Sequence, residues 1–151
     1  MIQEFVKAWD ANKTKLEECL RTHRQEEYEQ YKDLVRLLFE VVINPYIEKT
    51  NHTPFNVELI HEIDDGAYQG DLLFIIPKNT YQPSPYDYVW THQSYGSCSG
   101  CDLLLQIQWC DGPDAYELPS DKQVKEYMQL ELHLLQRCRY IIDKKTYWDE
   151  R

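Results

Sequence analysis

Between Val57 and Gln93 the hydrophobic period is two, and on both sides of that stretch it is the period of a helix. This change constrains the fold more than any other feature, because a strand alternates its side chains between two faces while a helix returns to one face every three or four residues. Val57, Leu59, His61 and Ile63 alternate with Glu58, Ile60 and Glu62, which predicts a half-buried first strand. Asp64-Asp65-Gly66-Ala67-Tyr68-Gln69-Gly70 then reads as a turn whose two glycines are expected to supply positive φ. Asp71 to Ile76 follows as a second, more deeply buried strand. Lys78 to Pro85, with Pro83 and Pro85, is expected to be loop. Tyr86, Tyr88, Trp90 and His92, alternating with Asp87, Val89, Thr91 and Gln93, predict a third strand.

The flanks are helical. Ile2, Phe5, Val6, Trp9, Leu16, Cys19 and Leu20 fall on one stripe and predict a helix over 2–21, interrupted once by Lys13. Thr22-His23-Arg24-Gln25 has the form of a capping box opening a second helix, with Tyr28, Tyr31, Leu34, Val35, Leu38, Phe39 and Val42 on its face, which Asn44-Pro45 is expected to end. Pro119-Ser120-Asp121-Lys122-Gln123 is a second capping-box start. It opens a long final helix whose inner face is expected to run through Val124, Tyr127, Met128, Leu134, Leu135, Cys138, Ile141 and Ile142. The expected fold is a single α+β domain over 1–151. It comprises a helical hairpin, a three-stranded antiparallel meander, a short helix, and a long C-terminal helix packed on the sheet.

Tyr95-Gly96-Ser97-Cys98-Ser99-Gly100-Cys101-Asp102 cannot be helix or strand interior, with two cysteines, two glycines and two serines together. It reads as a shaped loop from the third strand into the short apolar helix, with Asp102 as N-cap. Gly96 and Gly100 are expected to permit an unusual backbone path. Three readings of Cys98 and Cys101 stand side by side. They can pack or cap inside the loop, or they can act as a redox dithiol at a helix N-terminus. They can also be two ligands of a zinc ion, completed by His92 from the strand end, with His133 or Cys138 arriving on the last helix. Cys19, Cys110 and Cys138 are expected to be packing residues.

Charge narrows the partners. The net charge is −10, and between residues 52 and 100 Lys78 is the only Lys or Arg, against Glu58, Glu62, Asp64, Asp65, Asp71 and Asp87. A nucleic-acid groove needs cations near phosphates, so neither a nucleic acid nor an anionic membrane is expected as partner. No apolar leader lies between Met1 and Trp9, and five cysteines with only one close pair fit a reducing, cytoplasmic setting. His61 and Glu62 point to opposite faces of a strand and the Asp64-Asp65 pair is turn chemistry, so no catalytic constellation is expected there.

Phe39-Glu40-Val41-Val42-Ile43-Asn44-Pro45, Asp64 to Gly70, Thr80-Tyr81-Gln82-Pro83-Ser84 and the cysteine loop resemble small uncharacterised proteins of Gram-positive bacteria and their phages. That resemblance implies a phage or mobile-element role such as host takeover or inhibition of a defence system, and no catalytic residues. The leading expectation is a non-enzymatic, cofactor-free module. It would bind a protein partner through an acidic, tyrosine-rich surface of Asp64, Asp65, Tyr68, Tyr81, Tyr86, Tyr88 and Tyr95 together with the loop residues Gly96, Cys98, Gly100, Cys101 and Asp102. Self-association stays open. The alternative expectation is a thiol or zinc protein built on Cys98, Cys101 and His92.

Overall fold

The computed structural model describes residues 1–143. Helix α1 (Gln3–Thr22) buries Phe5, Ala8, Asn12, Leu16 and Leu20, so the gap left by Lys13 is bridged by Ala8 and Asn12. Asn12 donates from Nδ2 to Val42 O at 2.9 Å, which makes a polar residue usable on an inner face. The expected capping box at Thr22 does not form. Thr22 Oγ1 donates back to Glu18 O, and Gln25 is fully buried, donating to Pro113 O and Asp114 O and accepting from Tyr127 OH.

The second helical run begins later, at α2 (Tyr31–Leu37), where Gln30 and Asp33 form the capping box instead. It continues as a π-helical segment over Leu38–Ile43 and then as α3 (Asn44–Lys49). Pro45 therefore does not end the run. A proline inside an α-helix lacks an N–H and crowds the carbonyl four residues before it, and the wider π turn ahead of it relieves both. Phe39 on that segment meets Phe5 and Phe55 edge to face, with centroid separations of 5.9 Å and 5.3 Å, and these rings form the centre of the core.

Among the described residues the sheet has four antiparallel strands in the order β1 (His61–Asp64), β2 (Gly70–Pro77), β3 (Tyr88–Tyr95), β4 (Arg139–Tyr140). The expected first strand is shorter and wholly exposed. Val57–Leu59 form a 3-10 turn in which Asn56 Oδ1 accepts from Glu58 N, and pairing starts only at His61. β4 replaces the expected end of the last helix. Helix α5 (Asp121–Arg137) stops, Cys138 is extended, and Arg139–Tyr140 add to β3 opposite Trp90 and Val89. The free edge of β3 supplies hydrogen bonds that a longer helix would forgo, among them Ile141 N to Tyr88 O at 3.0 Å. Ile141 and Ile142 are accordingly exposed.

Register determines which face is inside. Leu72, Phe74 and Ile76 pair with Gln93, Thr91 and Val89 and turn toward the helices. Thr91 Oγ1 donates to Leu134 O of α5 at 2.7 Å, and Arg137 donates to Gln93 Oε1 at 2.7 Å, so both polar residues are satisfied inside. The short apolar helix is α4 (Leu103–Cys110). No helix among the described residues is long and apolar enough to cross a membrane.

Candidate functional site

The residues expected to form one surface lie at two ends of the sheet. Asp64, Asp65, Tyr68, Tyr95 and the cysteine loop are at one end, and Tyr81, Tyr86 and Tyr88 are at the other, separated by the length of β2, about 23 Å at 3.3 Å per residue. At the first end Asp64 Oδ1 accepts from Gly66 N at 2.9 Å and from Tyr95 OH at 2.5 Å, and Asp65 Oδ1 accepts from Asp71 N at 2.7 Å. The tyrosine hydrogen bond holds the Asp64 carboxyl below its ordinary range and pushes Tyr95 up to about 12. These carboxylates are turn fasteners. No glycine among the described residues has positive φ, contrary to expectation. Gly66 is needed because a Cβ would sit 2.0 Å from Gln69 O. Tyr68 and Tyr81 project into solvent, 81% and 95% exposed.

The cysteine loop is a single tight turn, closed by Cys101 N to Cys98 O at 3.0 Å. Asp102 anchors it from inside: one carboxylate oxygen caps Leu105 N at 3.1 Å and takes the Tyr31 hydroxyl at 2.9 Å, and the other accepts Gly96 N at 3.0 Å. Gly96 is required by close approach, since a Cβ there would meet Cys101 Sγ at 2.5 Å, whereas a Cβ at Gly100 would make only an ordinary contact with Cys98 Sγ at 4.0 Å. Both thiols are exposed, and the two sulfurs stand 2.7 Å apart. The hydrogen bond between the two sulfurs, in which either can donate, together with the Cys98 N–H at 3.1 Å holds the Cys101 thiol below its ordinary value, while the protonated Cys101 Sγ donates to Cys98 O at 3.3 Å. Replacing Asp102 with Ala removes a helix cap and strands the Tyr31 hydroxyl and Gly96 N–H. The expected loss, measured by urea unfolding, is about 2 kcal/mol, with Asp102→Asn losing less.

His92 is not at this loop. It stacks on Trp90 with ring centroids 5.6 Å apart, and its neighbours are His133, Gln136, Arg137 and Arg139 around a depression of about 530 Å³. Cys138 is buried in the core with its thiol on Leu134 O. Among the described residues no group of three or more His, Cys, Asp or Glu side chains is arranged to hold a metal ion, so His92, His133 and Cys138 do not complete a tetrahedron on Cys98 and Cys101.

A surface of which the sequence singled out only Tyr88 joins the two ends. On the sheet face turned away from the helices, Ile63 pairs with Leu73, Leu73 with His92, Ile75 with Trp90, and Pro77 with Tyr88. Ile63 is 42% exposed, Leu73, Ile75, Tyr88 and Trp90 are half-buried, and none of these packs against the main core. Asp71 and Ser94 border the face at one end, and Arg139 lies beside Trp90 at the β4 edge. Solvated faces of antiparallel sheets usually carry polar residues, so a row of Ile, Leu, Tyr and Trp there is unusual. Period-two alternation was the available signal. It left open which set was inside, because Thr91 and Gln93 are polar.

No family model, curated protein or solved structure matches this chain.

Proposed function

We propose that the chain is a non-enzymatic protein-binding module and that its docking surface is the open sheet face. The observation that carries this reading is the apolar row Ile63, Leu73, Ile75, Trp90 and Tyr88 on the face that no helix covers among the described residues. Large aromatic and branched side chains on a rigid sheet bury much area at little entropic cost, which is the usual composition of an interface centre. The rim is bipolar. Asp71 and the Asp64–Asp65 turn offer negative charge at one end, and Arg137 and Arg139 offer positive charge beside β4. A partner surface with an apolar strip, basic toward the turn and acidic toward Arg139, complements it. In the phage or mobile-element setting implied by the sequence resemblance, that partner would be a host or phage protein.

The test is affinity capture from lysate of the encoding cells, with the captured protein identified by mass spectrometry and its affinity then measured with purified components. Trp90→Ala and Ile75→Ser are expected to weaken binding by about 30-fold or more, the scale of an interface hot spot, at unchanged helix content and unfolding cooperativity. Tyr81→Ala, at the exposed loop tip, is expected to bind like the parent. Equal binding by the Trp90 and Ile75 variants, with loss on Tyr81→Ala, would transfer the function to the loop end.

A further inference from the structure

We propose that Cys98 and Cys101 form a two-electron dithiol–disulfide site that exchanges with low-molecular-weight disulfides, with Cys101 as the attacking sulfur. The assignment does not rest on the docking surface above and concerns a different part of the molecule.

Four observations carry it. The two sulfurs are 2.7 Å apart on one turn and both are exposed, so an incoming disulfide can reach either. Cys101 Sγ accepts the Cys98 N–H at 3.1 Å, a contact that stabilises a thiolate there. The turn is held on both sides of the pair, by Gly96 N and by the cap at Leu105, through the same buried Asp102, so joining the sulfurs needs little backbone movement. The remaining cysteines are placed differently: Cys19 lies against His23 on α1, Cys110 is at the far end of α4, and Cys138 is in the core.

The chemistry balances with a disulfide RSSR as the oxidant. The Cys101 thiolate attacks one sulfur, the RS–SR bond breaks, and the first RS⁻ leaves, giving a mixed disulfide on Cys101. Cys98 then loses its proton and attacks the Cys101 sulfur. The internal S–S bond forms and the second RS⁻ departs. The two protons released from the cysteines end on two RSH, so two thiols are oxidised and one disulfide is reduced. In a glutathione-reduced compartment the pair rests as the dithiol and responds to a rise in disulfide.

The experiment equilibrates the full chain in glutathione buffers of graded GSH to GSSG ratio, quenches with a maleimide, and counts and maps the remaining thiols by mass spectrometry. Cys98 and Cys101 are expected to disappear together at one midpoint. In Cys98→Ser the mixed glutathione disulfide should be trapped on Cys101. In Cys101→Ser the reaction at Cys98 should slow by about tenfold, with unfolding curves checking that both variants are folded. Oxidation of either cysteine alone in the parent, a bond to Cys110, or two thiols still reduced in fully oxidised glutathione would overturn the proposal. So would stoichiometric zinc on protein purified reduced without added metal.

Discussion

Replacing Glu131 with leucine stabilises the fold, and the gain grows as the pH rises. Glu131 lies on α5, its side chain is fully buried, and neither carboxyl oxygen has a hydrogen-bond partner among the described residues. Burial alone pushes its pKa well above the ordinary 4.5, because an ionised carboxylate loses its hydration there, and this favours the neutral acid in the folded protein. A folded-state value raised above the unfolded one means that the native state binds the extra proton. Stability is therefore full below about 4.5 and falls as the pH rises toward the folded value. The loss is about 1.4 kcal/mol for each pH unit over which the folded chain keeps a proton that the unfolded chain has released. Leucine removes this penalty and, in addition, about 1–3 kcal/mol for the unsatisfied buried polar group. Urea unfolding from pH 4.5 upward tests it: the parent should lose stability as the pH rises toward the raised folded-state value, while Glu131→Leu should be flatter and higher. Glu131→Gln should be equally flat and recover less, because the amide stays unsatisfied. An unchanged slope in both variants would mean that another group carries the proton.

Truncating Phe39 to alanine costs about 3–5 kcal/mol, the range for a buried aromatic whose cavity does not collapse. Its ring is fully buried and meets Phe5 of α1 and Phe55 of the segment before the sheet, both edge to face. Phe5 and Phe55 also touch each other at 5.9 Å, so removing Phe39 opens the middle of a three-ring cluster and little can move in to fill it. Thermal and urea unfolding should both register the loss, with Phe39→Leu losing considerably less. A drop below about 1 kcal/mol for Phe39→Ala would place the stabilising core elsewhere.

Much of the fold was legible locally. The Ser120 and Gln123 capping box opens α5, and Asp102 caps α4, each as its spacing indicates. Strands β2 and β3 fall within two residues of the expected ranges, and the α+β class follows from the change of period. The tight turn at the cysteines was also legible, because its composition suits nothing else. In the candidate sites, Cys98, Cys101 and Asp102 come together as neighbours in sequence must. His92 and the tyrosines at Tyr81 and Tyr86 do not join them.

What the chain alone determined is whatever acts within one or two turns of backbone: caps, turns, periods, and the contact between two cysteines three residues apart. Tertiary structure decided which face of the third strand is inside. Val89, Thr91 and Gln93 could be buried only because Leu134 O and Arg137 of α5 satisfy the two polar members. The same long-range packing turned Tyr88 and Trp90 outward onto a face continuous with Ile75 and Ile63. It also brought Arg137 and Arg139 beside His92, and it buried Glu131 completely. Hydrogen-bond satisfaction and burial are properties of partners distant in sequence, and no local pattern carries them.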